Sequence, residues 1–513
     1  MRIILSHLPV LCVSLLALTT ASPVFAQAVT PEIQARINAL QAQIDAQQAL
    51  LDELKAQLGA KPTAPNTASV PTQIAVPVAA LTKAPTKPSA PATSLSLKNG
   101  APTFATNDGA FSLTLSGVIQ ADAGGYNQDN NLPSAITGAA RDLNSGTNFR
   151  RARFGFSGKL YSDFDYNMVF DFGGAGAEDV GRVHEAWIQY SGFKDANIRI
   201  GEFAPSAGLA DSGSANGSPF LERASASEIA RGLGGGDTRM GVAVFKAYDR
   251  WLYSLALTGN TVSSLNTQAS GFNAHQYDEQ TGFVARLAGT PYKTKNALIH
   301  IGLNHSAILK PADAGITAST RYAVQLRDRP ELRVDGTRLI DTGAMDADSA
   351  SATGIELAAQ YKTLYMSSES FTYNLKRRNA ASGVTNPDFS GWYVEGGWVL
   401  TGETRKYSAD KAAFSGITPT HMFDPKNNHW GAFELVGRYS TIDLNFHENA
   451  ALAADRVRGG QQDISSLGLN WQLNPNVRFV FEGQDVKIER MNSAGDQIGQ
   501  DYTSFAVRSQ FNY

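Results

Sequence analysis

The sequence predicts an all-β transmembrane fold, a sixteen-stranded antiparallel barrel preceded by a short α-helical coiled coil and a Pro-rich linker. Two observations lead to this class. Segments in which polar and apolar residues alternate recur from residue 110 to residue 513, and no run of 18 apolar residues follows residue 26. A strand needs roughly 9–11 residues to cross a bilayer with one apolar face, whereas a helix needs about 20 apolar residues. The alternative for such strands is a large soluble β-sandwich.

The amino-acid composition agrees with this fold class and argues against several other functions. Only 18% of residues are charged, yet the mean hydropathy is −0.21, as in chains that are apolar at every second strand position. The 44 basic and 47 acidic residues give a net charge of −3, so bulk charge does not indicate nucleic acid binding. Cys12 is the only cysteine, and the eight histidines have no metal-ligand spacing. We therefore expect no disulfide, metal or cofactor.

Residues 1–26 have the pattern of a secretory signal peptide. Arg2 precedes an apolar core at residues 10–18, and a Val24-Phe25-Ala26 cleavage sequence follows. We expect cleavage after Ala26, which would also remove Cys12.

Residues 27–58 and 59–103 differ from the rest in period and composition. Thr30 and Pro31 are a helix start, and the positions that follow are spaced alternately by four and three residues, as in a coiled coil. These positions are Ile33, Ile37, Leu40, Ile44, Gln47, Leu51, Leu54 and Leu58. A single amphipathic helix is the alternative. Residues 59–103 contain eight prolines and predict a loose linker, so the barrel domain is expected at 104–513.

The first and last strands of the barrel have matching patterns. In residues 503–513, Phe505, Val507 and Phe511 alternate with polar residues, and the stretch ends on Tyr513. Residues 110–123 alternate in the same way. Because a membrane sheet can leave no open edge, we expect the last strand to pair with the first.

Sixteen strands fit this part of the chain. They are predicted at 110–123, 147–160, 163–172, 181–191, 196–203, 237–247, 250–260, 278–290, 296–308, 352–362, 364–376, 389–402, 428–443, 463–473, 476–490 and 503–513. Short links occur at alternate positions, as periplasmic turns do. This parity makes residues 309–351 one long external loop and puts a second long connection, 403–427, on the periplasmic side.

Several motifs resemble those of the phosphate-selective porin O/P family of Gram-negative outer membranes. They are 148–153 (NFRRAR), 184–187 (HEAW), 220–223 (FLER), 328–331 (DRPE), 336–338 (GTR), 392–403 (WYVEGGWVLTGE) and 468–476 (GLNWQLNPN). The resemblance implies a homotrimeric, sixteen-stranded porin whose third and fifth external loops and one periplasmic turn narrow the pore. Residues 204–236, 309–351 and 403–427 fall in the corresponding places. Members of this family place a lysine on the third loop, whereas residues 204–236 contain none.

The alternation of side chains along each strand predicts which arginines of the barrel wall face the lumen. Arg151 and Arg153 share the parity of polar residues and are expected to face the lumen, whereas Arg150 is expected to face outward unless a bulge shifts it. Polar faces also hold Arg199, Arg239, Arg286, Arg438, Arg478 and Arg508. Guanidinium groups suit oxyanions because they form paired, directional hydrogen bonds. The alternative is a wall of neutralised ion pairs, since carboxylates share these faces.

The two long external loops add further arginines. Residues 204–236 predict a short helix capped by Ser218, starting at Pro219 and ending at Gly232, from which Arg223 and Arg231 could reach the pore. Residues 309–351 hold five arginines together with acids that could pair with them. The complete set of pore candidates is Arg151, Arg153, Arg223, Arg231, Arg239, Arg327, Arg329 and Arg333.

These observations predict an outer-membrane diffusion channel for small anions such as phosphate or a related oxyanion, in contact with outer-membrane lipid. The alternatives are a weakly selective porin for another small solute and a structural tether in which the coil contacts the cell wall. An enzyme is not expected. Asn304-His305-Ser306 has the residue types of an acyl hydrolase, but neighbours on a strand point to opposite faces.

Overall fold

The fold described here is that of a computed structural model. The structure describes residues 38, 45, 93–98, 100–128, 142–174, 181–233, 236–260, 280–312 and 323–513. The predicted signal peptide lies outside the described residues. Most of the predicted linker lies outside them as well. Of the predicted coiled coil, only Asn38 and Asp45 are described, and both are helical. Among the described residues, no helix is long and apolar enough to cross a membrane.

Sixteen antiparallel strands form a closed barrel, as the alternation predicts. In chain order, and named below by their ordinal number, they are Ser112–Gln128, Gly146–Leu160, Phe164–Asp171, Arg182–Tyr190, Asn197–Phe203, Arg239–Ala247, Trp251–Thr258, Thr281–Lys293, Ala297–Lys310, Ala347–Tyr361, Leu364–Arg377, Asp388–Val399, Ala432–Phe446, Val457–Asn474, Val477–Glu489 and Tyr502–Asn512. Each pairs with its neighbours in the chain, and the sixteenth pairs with the first from Asn512↔Val118 to Tyr502↔Gln128. The predicted closure is therefore confirmed.

The strands are apolar outside and polar inside, the reverse of a soluble sandwich. On the sixteenth strand, the side chain of Phe505 is 57% exposed and that of Arg508 is fully buried. On the first strand, Leu113 and Ile119 are exposed, whereas Gln120 is buried. An apolar outer surface is stable only against lipid, so this alternation identifies the outer face as the bilayer-facing one.

The connections follow the predicted parity. Short links at 161–163, 191–196, 248–250, 294–296, 362–363 and 475–476 join alternate strand pairs. The ninth and tenth strands are joined by the long connection 311–346, in which the described part contains a two-residue pairing of Arg327–Asp328 with Ile340–Asp341 and a single bridge between Val324 and Met345. Residues 309–351 are thus mainly a loop, although the tenth strand begins earlier than predicted, at Ala347.

A hairpin precedes the barrel where the linker was predicted to continue to residue 103. Its strands are Thr93–Lys98 and Ala101–Thr106, and its second strand pairs with the start of the first barrel strand. Gly100 turns the chain with φ +87°, a conformation that favours glycine. The linker therefore ends before Thr93, because residues that alternate around a glycine turn can pair with each other and with the barrel.

Residues 204–236, called the inner loop below, contain the helices α1 (Leu209–Ser212) and α2 (Ser225–Gly232) and a 3-10 turn (Ala215–Gly217). The predicted helix ends at Gly232 but begins six residues later than expected. The Ser218 hydroxyl donates to the carbonyl of Phe220 instead of capping a helix, and the Leu221 N–H donates to the carboxylate of Glu482. These bonds to the chain and the wall hold residues 218–224 out of a helix.

An apolar cluster fills one side of the lumen. Helix α2 and the part of the loop that the structure describes at 323–345 pack against inward-facing residues of the tenth to sixteenth strands. The largest of these buried residues include Leu326, Leu339, Ile340, Phe371, Tyr373, Phe389, Ile442, Leu444 and Ile488. The simple rule of polar residues inside fails here, because the strands meet an inserted loop instead of water.

Candidate functional site

The other side of the lumen holds a cavity of about 740 Å³ between the inner loop and the wall. The fourth to seventh strands contribute most of the wall side, and the connection between the twelfth and thirteenth strands contributes Asp410 and Lys411. Its cationic lining residues are Arg151, Arg153, Arg199, Arg223, Arg231, Lys246 and Lys411. Its carboxylates are Glu185, Asp211, Asp237 and Asp410. Seven cations therefore face four carboxylates.

A bulge in the second strand sets the direction of its arginines. Gln120 pairs with Arg151 but Ala121 pairs with Phe149, so Arg150 is an extra residue. Arg150 was expected to face outward unless a bulge shifts it, and the bulge does so by turning its guanidinium inward to the carboxylate of Glu222. Nε of Arg150 lies 2.6 Å from Oε1 of Glu222, and Nη2 lies 2.9 Å from Oε2.

Arg151 and Arg153 both line the cavity, but their partners differ. Nε of Arg153 forms an ion pair with Asp171, its register partner on the third strand, at 2.7 Å. Nη1 of Arg151 donates to the amide oxygen of Gln120 at 2.6 Å, and no hydrogen-bond partner contacts its Nε among the described residues. Arg151 therefore keeps a positive charge that no adjacent carboxylate neutralises.

The inner loop brings Arg223 and Arg231 to the cavity, within a set of acids. Arg231 contacts Asp211 at 2.6 Å, Asp237 at 3.2 Å and Glu228 at 3.3 Å. Nε of Arg223 donates to the carbonyl of Ala210 at 3.0 Å. Although burial raises it, the pKa of Glu228 is lowered to about 2 by Arg231, Arg333 and Arg223, so this carboxylate stays ionised. Arg231 is thus largely neutralised, as the alternative of internal pairing anticipated.

The other four predicted site residues do not line the cavity. Arg239 is buried and donates to the carbonyls of Gly236 and Arg231, which fixes the end of α2. Arg327 is exposed on the external loop, and Nε of Arg329 donates to the carbonyl of Gly336. Arg333 pairs with Glu228 and Glu222. Arg239, Arg329 and Arg333 hold loops together because each meets a carbonyl or an acid before it reaches the open space.

Other arginines of the wall bind the backbone of the inner loop. Arg478 donates to the carbonyl of Ser218 at 2.8 Å, Arg508 to that of Leu221 at 2.6 Å and Arg438 to that of Glu222 at 3.0 Å. Arg405, from the connection between the twelfth and thirteenth strands, donates to Gly217. Strand parity correctly placed the wall residues inside, but it gives no sign that their partner is main chain.

Arg286 joins both inward segments to the wall. Its guanidinium forms a two-fold ion pair with Glu356, with distances of 2.9 and 2.7 Å. The same group donates to the carbonyls of Lys411 and Ala412 and to the hydroxyls of Ser206 and Ser212. One buried side chain therefore positions the inner loop and the 403–427 connection together.

The cavity also contains residues that the predicted site omitted. Arg199 lies over the ring of Trp187, 4.0 Å from its centroid, and donates twice to the amide oxygen of Gln189. Lys246 has the outward parity of the sixth strand and reaches the cavity near the turn that contains Phe193, whose carbonyl accepts from Nζ. Arg199 was predicted to face inward, but nothing in its own strand indicated the nearer aromatic rings, those of Trp187 and Phe245.

No group of His, Cys, Asp or Glu that could hold a metal ion occurs in the described part of the chain. Asn304 and Ser306 are buried on the inner face of the ninth strand. His305 lies on the other face, where its ring contacts Phe283 with centroids 5.5 Å apart and its Nδ1 lies 2.8 Å from Thr353 Oγ1. These three residues therefore form no common site.

Comparisons with known proteins find relatives over most of the chain. Porin O of Pseudomonas aeruginosa is 25% identical over 435 residues, covering 79% of this chain and 90% of that protein. An uncharacterized protein of Caulobacter vibrioides is 27% identical over 421 residues, covering 82% and 76%. The solved structure of an anion-selective porin from Comamonas acidovorans has 11% identity and a TM-score of 0.41, covering 79% of this chain and 100% of that one. The family model described as "Phosphate-selective porin O and P" matches residues 113–513. The chain belongs to this porin family and is a porin of the Gram-negative outer membrane.

Proposed function

We propose that this porin is a passive channel that prefers anions, with the inner loop and the 403–427 connection forming its narrow part. The observation that carries the proposal is the excess of cations around the cavity. Arg151, Arg199 and Lys246 have no carboxylate within 4.0 Å among the described residues, so their charges act on whatever enters. Charges at a narrow, low-dielectric passage act more strongly than those screened beyond about 8 Å at physiological salt.

Phosphate and related oxyanions are the solutes that family membership favours, because the family description names phosphate selectivity. Arginine donors suit tetrahedral oxyanions, and five arginines line the cavity. The absence of lysine from residues 204–236 removes one cation that the family places there. We propose the same homotrimeric assembly as the family resemblance implies.

A weakly selective porin is the second candidate. It is favoured by the neutralised state of Arg153 and Arg231, each of which meets at least one carboxylate closer than 3 Å. In that case the cavity would act mainly through its size.

The reversal potential in a potassium chloride gradient across a planar bilayer tests the proposal. We expect the wild-type channel to prefer chloride, and we expect Arg151→Gln to reduce this preference. Arg327→Gln is the matched control, because Arg327 is exposed and does not line the cavity. A wild-type channel that passes potassium in preference to chloride would overturn anion selectivity. Equal permeabilities would favour the second candidate.

A further inference from the structure

The inner face of the sixth and seventh strands is apolar where it lines the cavity. Ala243, Phe245 and Leu252 point inward, in a barrel whose lumen is otherwise lined mainly by polar side chains or filled by the inserted loop. Ala243 and Leu252 are only 3% and 4% exposed, and Phe245 is half-buried. A path for inorganic ions needs no such surface, because apolar groups offer nothing to a hydrated ion.

Arg199 packs against this apolar surface. The guanidinium carbon of Arg199 lies 4.0 Å from the ring centroid of Trp187 and 4.9 Å from that of Phe245. Nε and Nη2 both donate to the amide oxygen of Gln189, at 3.1 and 2.7 Å. No acid lies within 4.0 Å of Arg199 in the described part of the chain, and its Nη1 makes no hydrogen bond there. The aromatic rings fix the plane of the cation and leave that nitrogen available.

The nearby acids of the wall, Glu185 and Asp165, hydrogen-bond to other groups, and their negative charges act on Arg199 only at longer range. The carboxylate of Glu185 accepts from the indole N–H of Trp187 at 2.9 Å and from the amide of Asn167 at 2.7 Å. Asp165 is held by Lys159 at 2.8 Å and by Ser191 at 2.6 Å. The cavity therefore presents an oriented cation within an aromatic and aliphatic surface. Arg223 and Arg231 approach it from the inner loop.

We propose that this cavity selects organic anions with an apolar body, in the class of aromatic carboxylates, over inorganic oxyanions and over small carboxylates. The inference rests on the proposed anion preference, but it names a solute class other than the phosphate of the family description. The carboxylate of such a solute can accept from Nη1 of Arg199, while its ring packs beside the half-buried ring of Phe245. Phosphate can use the arginine but gains nothing from the rings and loses hydration beside them.

Block of the channel by added anions tests this inference. In a planar bilayer bathed in potassium chloride, benzoate, acetate and inorganic phosphate are titrated against the current. We expect wild-type channels to be half-blocked by benzoate at a concentration at least tenfold below that of acetate or phosphate. Equal concentrations for the three anions would overturn the inference.

Variants locate the effect. Phe245→Ala and Arg199→Gln should each bring the half-blocking concentration of benzoate close to that of acetate. Val244→Ala is the matched control, because Val244 is on the same strand but faces outward, 38% exposed. Folding is checked by the shift in gel mobility between unheated and heated samples. If Phe245→Ala folds poorly, Phe245→Gln serves as the second variant, because it keeps much of the side-chain volume but removes the ring. Unchanged discrimination in folded variants would contradict the inference.

The two proposals fail in different ways. A wild-type channel that prefers potassium to chloride would overturn the proposed function and this inference with it. A channel that prefers chloride but does not distinguish benzoate from acetate would overturn only the inference.

Discussion

Arg508 on the last strand and Asp122 on the first are register partners across the seam that closes the barrel, and their side chains form a two-fold ion pair there. Nε and Nη2 of Arg508 lie 2.7 and 2.6 Å from the two carboxylate oxygens of Asp122. The same guanidinium reaches Glu222 and the Leu221 carbonyl of the inner loop. Closure of the barrel and placement of the loop therefore share one fully buried side chain.

Removing this cation should destabilise the seam. Arg508→Gln leaves the carboxylate of Asp122 buried without its partner, which typically costs about 3–5 kcal/mol. The double variant Arg508→Gln, Asp122→Asn removes both charges and should recover part of the loss. Urea unfolding of barrels in detergent, followed by gel mobility, measures the difference. A double variant no more stable than the single one would argue against the pair as the cause.

A second prediction concerns Gly117 and Tyr513. Their backbones exchange two hydrogen bonds of 3.1 and 3.0 Å, and the ring of Tyr513 lies over Gly117. A Cβ added at Gly117 would come within 2.5 Å of that ring. Gly117→Ala should therefore lower stability by about 1–3 kcal/mol, the usual cost of overpacking. Gly437→Ala is the control, because its nearest atom would be 4.0 Å away. Equal yields of folded barrel from both variants would show that the ring moves freely.

Replacement of Tyr513 tests the contact between Gly117 and Tyr513 by changing the second residue of the pair. Tyr513→Asp should impair assembly more than conductance, since it removes an aromatic ring that packs against Phe511, with centroids 5.8 Å apart. Tyr513→Phe keeps the ring and should assemble normally. The measurements are the yield of folded barrel and its single-channel conductance. A normal yield of Tyr513→Asp would contradict this role.

The strands and the closure were predictable from the sequence because side-chain alternation is a local property. The direction of Arg150 was not, since it depends on one unpaired residue, and a bulge has no reliable sequence signal. The hydrogen-bond partners of the wall arginines were not predictable either. Arg478 and Arg508 bind loop carbonyls that are more than 250 residues away in the chain. The aromatic support of Arg199 likewise comes from three different strands.

The stability of the barrel should depend on pH through Asp328, which lies in the long external loop. Burial raises the pKa of Asp328 to about 7, with a further increase from Glu228 and opposition from Arg333. Because the folded state binds this proton more tightly, the contribution to stability is complete below about pH 4 and is lost as the pH rises through 7. Asp328→Asn should thus raise the thermal midpoint at pH 8 and change it little at pH 4. The same gain at both pH values would contradict the shift.

Arg286 should control the width of the channel. Arg286→Lys loses the planar group that reaches the carbonyls of Lys411 and Ala412, so the two inward segments are held less firmly. Single-channel conductance should rise and become noisier. Arg490→Lys is the control, because Arg490 also binds loop carbonyls, those of Leu339 and Asp341, but lies away from the cavity. Unchanged conductance in folded Arg286→Lys would contradict this role.

The hairpin before the barrel has a mechanical consequence. Only three residue pairs, from Thr103↔Thr114 to Ala105↔Ser112, connect it to the first strand, whereas eleven pairs close the barrel at the seam. A pull applied through the preceding segment reaches the hairpin first and loads its three pairs before the seam. The hairpin would peel away first and lengthen the chain before the load passes along the backbone to the first strand and the seam.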